Sequence, residues 1–181
     1  MKLLRTIRLD PSDTFVFARA AEPGEWAVSG AFMFDSDPAA FEGQARAAFR
    51  SGFLGVPSFG WSTLVQIVEA SEQDCAGLIG LLARCFCERL GAPGETEASA
   101  AAEQEVAFAA SLCEHPLDTL VAVHRTCENG GIREAFRTLR PRGERKPMRA
   151  FSFLEVQGED AEAEEAGAGD SVDLVKLGRE P

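Results

Sequence analysis

The first third of the chain alternates short apolar runs with turn residues. Residues 3–10 and 14–20 are apolar runs separated by Asp10-Pro11-Ser12-Asp13, and a third run covers residues 26–34. Short apolar runs bounded by turn-forming residues are typical of strands. The pattern therefore predicts three strands, with Gly30 as a bulge in the third.

Helical spacing replaces this pattern in three later segments. The clearest helix is predicted to begin at the N-cap Ser71 and to end at Gly91, and an alanine-rich helix is predicted over Thr96–Cys113. A shorter helix, capped by Asp35 or Asp37, is predicted to end at Gly52. We expect the two long helices to pack as an antiparallel pair against one face of the sheet.

Residues 51–68 carry no charge over 18 positions, which is close to a membrane-spanning length. The stretch contains Pro57 and three glycines, which would make a weak span. We interpret it as a buried loop that runs into a strand over Leu64–Val68.

The segment after the long helices carries a strong hairpin signal. Leu117–Cys127 is predicted as a strand, and Asn129-Gly130 is a typical two-residue turn that would return the chain over residues 132–139. The apolar spacing of residues 132–139 also fits a helix, but the turn chemistry favours the hairpin. Met148–Val156 is predicted as a last strand.

These elements predict an α+β fold, a mostly antiparallel sheet with a helical pair packed on one face. We assign residues 1–157 to a single domain and residues 158–181 to an acidic tail. Seven acidic residues and no basic one lie between residues 157 and 173, a composition that predicts disorder. The apolar residues of 172–177 could dock as a short segment after it.

The net charge and the cysteine content reduce the range of functions that the sequence allows. The net charge is −11, and an acidic surface repels polyphosphate, so nucleic acid is not an expected partner. Seven of these charges lie in the tail, so the folded domain is only mildly acidic. The five cysteines are an odd number in no regular framework, and we find no secretory signal. The chain is therefore predicted to be cytoplasmic, with no membrane association.

Two thiols and two imidazoles lie within fifteen residues: Cys113, His115, His124 and Cys127. This is the stoichiometry of a structural zinc site, but residues three apart on a strand point to opposite faces. The spacing favours buried thiols and an ordinary histidine, although sequence alone leaves the metal open. No phosphate-binding loop or nucleophile motif occurs, so we predict no cofactor and no catalytic residue.

The basic cluster is more informative, because seven of the eighteen cationic residues lie within residues 133–149. In a hairpin, Arg133 and Arg137 share a face, and we expect Arg125 of the partner strand near them. One interpretation is a solvated patch or one screened by the acidic tail. The other is a docking surface for an acidic partner or an anionic ligand.

A second candidate site is the aromatic, glycine-rich loop around Trp61. Aromatic residues in such loops line pockets or interfaces, although core burial is the more common role. We expect His124 and Arg125 to lie on a strand next to this loop. Trp61, His124 and Arg125 are therefore the candidate pocket residues.

Four segments together resemble a small family of uncharacterised bacterial proteins known only as a domain of unknown function. The segments are residues 4–10 (LRTIRLD), 23–32 (PGEWAVSGAF), 52–62 (GFLGVPSFGWS) and 124–126 (HRT). The resemblance covers roughly residues 3–156. The resemblance implies that this protein is similar to the companion proteins encoded beside molybdenum-containing formate dehydrogenases and their assembly factors. It therefore implies an accessory role.

The sequence thus suggests a non-catalytic binding or accessory protein, possessing a docking surface in the arginine-rich hairpin and the aromatic loop. The expected partner is another protein, such as a molybdenum-dependent redox enzyme, and a homo-oligomer is also compatible with the sequence. The alternative is a small enzyme or ligand-binding protein whose pocket is formed by Trp61, His124 and Arg125.

Overall fold

The computed structural model describes residues 1–34, 41–128 and 130–139, which all belong to one compact unit. Seven strands and four helices are present in these residues. In chain order they are β1 Lys2–Ile7, α1 Asp13–Val16, β2 Trp26–Val28, α2 Gly43–Ser51, β3 Phe53–Gly55, β4 Gly60–Ser62, β5 Leu64–Glu69, α3 Glu72–Leu90, α4 Glu95–Ser111, β6 Leu120–Glu128 and β7 Gly131–Leu139.

All seven strands belong to one sheet with the order β4-β3-β2-β1-β5-β6-β7, and every neighbouring pair is antiparallel. The rings of Phe53 in β3 and Phe136 in β7 have centroids 6.1 Å apart, although four strands separate β3 from β7. A flat sheet would hold them roughly 24 Å apart at the usual strand spacing. The sheet must therefore curl, which brings β2 and β3 close to the β6–β7 hairpin.

The fold class predicted from the sequence is confirmed: the protein is α+β with an antiparallel sheet. Helix α3 begins with a capping box, in which Ser71 and Asp74 bond each other's backbone N–H groups. It ends at Gly91, which adopts the left-handed conformation with φ +69°. Both helix ends lie where the sequence predicted them.

Helix α4 packs against α3 and against strands β1 and β2. Its buried stripe consists of small side chains, namely Ala98, Ala102, Val106 and Ala109. Small side chains allow a helix to approach its neighbours closely, as the alanine-rich sequence predicted. Together with Leu78, Leu82 and Phe86 of α3 and the apolar strand residues, this stripe forms the core.

The three strands predicted in the first third are wrong or too long, and the first, predicted over residues 3–10, ends at Ile7. Residues 14–20 form no strand, because Asp13–Val16 is a helical turn and only Ala20 makes an isolated bridge, to Trp61. The strand predicted over residues 26–34 ends at Val28. Gly30 is not a bulge: its φ of +79° turns the chain into a short 3₁₀ helix, Ala31–Met33.

The uncharged stretch over residues 51–68 is largely buried, as predicted, but it is not a loop. Within it, Phe53–Gly55 and Gly60–Ser62 form β3 and β4, which pair with each other from Phe53↔Ser62 to Gly55↔Gly60. Pro57 lies exposed in the connection between them, so neither strand loses a backbone donor. Within the described ranges, no helix has the length and apolar character needed to cross a membrane.

The hairpin predicted around Asn129-Gly130 is confirmed. Strands β6 and β7 pair without interruption from Glu128↔Gly131 to Leu120↔Leu139, and Gly130 has φ +77°. The helical alternative for residues 131–139 is therefore wrong. The predicted end of the shorter helix at Gly52 is confirmed, but α2 begins at Gly43 with Glu42 as its N-cap, so the prediction that Asp35 or Asp37 caps it is wrong. The predicted strand over 148–156 and the tail with its boundary at 157 lie outside the described residues.

Candidate functional site

Strand alternation divides the hairpin residues between two faces. Val121, Val123 and Arg125 of β6 point to a buried face, which we call the inner face of the hairpin. His124 lies between them on β6 and is exposed on the opposite, outer face. The predicted site residues of this strand are therefore separated by the sheet itself.

Arg125 is the largest fully buried side chain of the described core. Its Nε donates to Glu134 Oε1 at 2.7 Å, and its Nη1 donates to the carbonyls of Phe49 at 3.1 Å and Gly52 at 2.7 Å. Its Nη2 donates to both the carbonyl and the hydroxyl oxygen of Ser29. A guanidinium has five N–H donors, so these five acceptors use all of them.

The carboxylate of Glu134 compensates the buried charge of Arg125. Glu134 lies directly opposite Arg125 in the β6–β7 register, and it also accepts a hydrogen bond of 2.5 Å from the Ser29 hydroxyl. Burial lowers the pKa of Arg125, while the charge of Glu134 and its hydrogen bond act to raise it. Arginine is not deprotonated in proteins, so the side chain stays cationic.

The network of Arg125 connects the ends of several elements. The carbonyls of Phe49 and Gly52 lie at the C-terminal end of α2, where backbone acceptors lack partners within the helix. Ser29 follows β2, and Glu134 belongs to β7. Arg125 is therefore a structural residue, and the expectation that it would join Arg133 and Arg137 in a binding surface is wrong.

Trp61 belongs to a cluster of aromatic rings. Its indole stacks on Phe34 with ring centroids 5.1 Å apart, and it lies against the backbone of Gly30 and Gly52. The guanidinium of Arg125 is 5.7 Å from the centroid of the Phe34 ring. Trp61 and Arg125 thus share neighbours, but His124 points away from both, so the three residues do not line one pocket.

The outer face of the hairpin carries the remaining candidates: His124, Arg133 and Arg137. Ala135 lies opposite His124 in the register, and the two arginines flank Ala135 on the same face of β7. Arg133 is 73% exposed and pairs with Glu128 at 2.8 Å. No carboxylate of the described residues lies within 4.0 Å of Arg137.

The four candidate metal ligands are not brought together. Cys113 is buried, donates its thiol to the Ala109 carbonyl, and has its pKa raised to about 11 by burial. His124 and Cys127 are three residues apart on β6 and therefore point to opposite faces. Across the residues that the structure describes, no three His, Cys, Asp or Glu side chains could hold a metal ion.

Sequence reasoning missed the partners of Arg125. The signal for Glu134 was present, because a hairpin closed at Asn129-Gly130 pairs Arg125 with Glu134 by simple counting from the turn. No comparable signal marks Ser29, whose position depends on the curl of the sheet.

A groove with a volume of about 920 Å³ lies between α3 and α4, apart from every predicted site residue. Its lining includes Glu88, Glu95 and Glu103 and one arginine, Arg84. An excess of carboxylates makes this groove unsuitable for an acidic partner.

The family of unknown function DUF6505 has a family model that matches residues 1–155 of the chain. The chain belongs to this family. The match agrees with the resemblance found in the sequence, and it includes every helix and strand described above. In the two other comparisons, no curated protein and no solved structure matched the chain.

The carboxyl of Glu105 in α4 interacts with the charges of Arg125 and Glu134. The stability of the protein should therefore depend on pH through this carboxyl. Burial raises the pKa of the Glu105 carboxyl from the ordinary value of 4.5; the charge of Glu134 raises it further, and Arg125 opposes both. The folded state thus binds this proton more tightly than the unfolded chain, so an ionised Glu105 lowers stability above the raised pKa. We expect Glu105→Gln to raise the free energy of unfolding at pH 7, measured by urea denaturation.

The stabilisation by Glu105→Gln should disappear as the pH falls below 4.5, where the carboxyl is protonated in both states. Glu103→Gln, an exposed carboxyl of the same helix, is the matched control and should change little. A Glu105→Gln protein that is less stable at pH 7 would show instead that Arg125 needs this carboxylate.

Proposed function

We propose that this chain is a cytoplasmic, non-catalytic binding or accessory protein. Its binding surface is the outer face of the β6–β7 hairpin, and its partner presents carboxylates. The observation that carries this proposal is the clustering of the side chains of His124, Arg133 and Arg137 on one exposed face.

Charge supports an acidic partner for this surface. Arg137 is exposed and lacks a carboxylate neighbour among the described residues, so pairing with a partner would break no ion pair that the structure describes. Arginine binds carboxylates through two parallel hydrogen bonds, which gives geometric specificity as well as attraction. The choice of client, a molybdenum-dependent redox enzyme, rests on the family resemblance.

Geometry gives less support to a small-molecule site. All five donors of Arg125 are used within the protein, and His124 lies on the other face of the hairpin. We therefore favour an interaction surface over a pocket built from Trp61, His124 and Arg125.

The proposal is tested by reversing the charge of Arg133 and Arg137. Native mass spectrometry of the protein purified gently from its own cells should show a stoichiometric partner with the wild type. The Arg133→Glu/Arg137→Glu protein should lose that partner. Both side chains are exposed, so the free energy of unfolding should change by no more than about 0.5 kcal/mol.

Arg19→Glu/Arg84→Glu is the matched control, because it makes the same charge change at two exposed positions outside the hairpin. It should leave the partner bound. Retention of the partner by the double variant, or equal loss in the control, would rule out the hairpin as the specific surface.

A further inference from the structure

The backbone of β7 offers a second means of recognition next to the cationic side chains. A hairpin closed by a two-residue loop begins with a hydrogen-bonded pair, here Glu128 and Gly131. Hydrogen-bonded and non-hydrogen-bonded pairs then alternate along an antiparallel ladder. The odd-numbered residues of β7 therefore direct their N–H and C=O groups to β6. The even-numbered residues Ile132, Glu134, Phe136 and Thr138 direct theirs away from it.

Strand β7 is the last strand of the sheet in the part of the chain that the structure describes. None of the described residues accepts a backbone hydrogen bond from its four outward N–H groups. The opposite edge differs, because the N–H and C=O of Trp61 in β4 are bonded by Arg19 and Ala21. The nine residues of β7 contain no proline and pair with β6 without a bulge.

We propose that β7 receives an extended segment of the acidic partner as an additional antiparallel strand. This inference rests on the proposed function and specifies how the partner binds. Main-chain hydrogen bonds to the outward groups of β7 hold the segment, and its side chains provide the specificity.

The faces of β7 define the chemistry of that segment. On the outer face, carboxylates lie opposite Arg133 and Arg137, four residues or roughly 13 Å apart along the strand. On the inner face, apolar side chains lie next to Ile132 and Phe136, which are half-buried. The small Ala135 leaves room for any side chain between the two carboxylates. Read from the residue opposite Arg137, the segment that fits therefore has the order acidic, apolar, any residue, polar, acidic, apolar.

In the register that overlaps the whole strand, charge disfavours a second copy of β7 as the added strand. Two copies paired antiparallel about Ala135 would place Arg133 of one strand opposite Arg137 of the other. Like charges directly opposite each other destabilise a strand pair. A segment with carboxylates at these positions meets complementary charge instead.

The experiment measures amide hydrogen exchange by NMR on the full chain, with the blocked peptide Thr-Glu-Val-Thr-Thr-Glu-Val-Thr as the probe. We expect the N–H groups of Ile132, Glu134, Phe136 and Thr138 to exchange at least tenfold more slowly when the peptide is bound. The odd-numbered amides of β7 should change little, since they already bond to β6. A control peptide with lysine in place of both glutamates should not bind.

Thr138→Pro separates backbone pairing from side-chain attraction. It removes an outward N–H without removing a donor to β6, and proline is tolerated at strand edges in such positions. We expect Thr138→Pro to weaken peptide binding at least tenfold, while Thr138→Val retains it. Arg137→Glu should weaken binding in either background.

Two results would overturn strand addition. One is protection of the four outward amides without peptide, which would mean that the edge is already occupied by the chain itself or by a second copy. The other is equal binding by Thr138→Pro and Thr138→Val. If Arg137→Glu still weakens binding in that case, the proposed side-chain surface survives; if it does not, both proposals fail.

Discussion

Arg125→Met should lower the free energy of unfolding by about 3–5 kcal/mol, as expected when one partner of a buried ion pair is removed. Methionine fills much of the space of the arginine stem but has no N–H donor. Glu134 would keep a buried charge without its partner, and the carbonyls of Ser29, Phe49 and Gly52 would lose their donors. Urea denaturation followed by circular dichroism measures the loss.

Two further variants separate the causes of this loss. Arg125→Lys keeps the charge but replaces a planar fork of five donors by three, so it should recover only part of the stability. Arg125→Met/Glu134→Met removes the stranded carboxylate and should be more stable than Arg125→Met alone. Arg137→Met, an exposed arginine on the same hairpin, should stay within about 0.5 kcal/mol of wild type. A similarly small change for Arg125→Met would refute the structural role.

The elements that could be predicted from the sequence are those specified by local chemistry. Helix α3 has its own cap at Ser71 and its own stop at Gly91, and the β6–β7 hairpin is specified by Asn129-Gly130. Each signal lies within a few residues of the feature that it specifies. These elements can therefore be predicted without knowledge of the tertiary contacts.

The prediction failed where distant contacts decide the local structure. Residues 14–20 look like a strand, yet Asp13 makes three hydrogen bonds to Ser62 and Thr63, fifty positions away, and fixes a helical turn there. Similarly, Arg125 looked like a surface cation near other arginines. Only the curl of the sheet, which brings Ser29 and α2 to the hairpin, shows that it is buried.

The candidate site was therefore predicted in part. The pairing of Arg133 and Arg137 on one face follows from the period of two along a strand, and the register confirms it. The same period places His124 with them and Arg125 on the opposite face. Counting along the hairpin therefore separates these two neighbours, although both were candidates for one pocket.

Gly30→Ala is expected to be the second most damaging substitution, with a loss of about 2–5 kcal/mol. A φ of +79° costs an L-residue about 1–2 kcal/mol. An added Cβ would also lie 2.7 Å from the Cβ of Leu54 and 3.0 Å from the ring of Trp61. Such overpacking of a closed core costs about 1–3 kcal/mol more. Gly30 directly follows Ser29, so a shift there would also disturb the acceptors of Arg125.

Gly24→Ala separates these two contributions, because Gly24 has a φ of +84° but no atom within 4 Å of an added Cβ. It carries the same backbone cost without the clash, so it should lose only about 1–2 kcal/mol. The difference between the two variants in urea denaturation measures the packing between β2, β3 and Trp61. Equal losses would mean that Leu54 and Trp61 move aside freely. The turn after β2 would then not be held by the aromatic cluster, and the position of Ser29 beside Arg125 would depend on the hydrogen bonds of Arg125 alone.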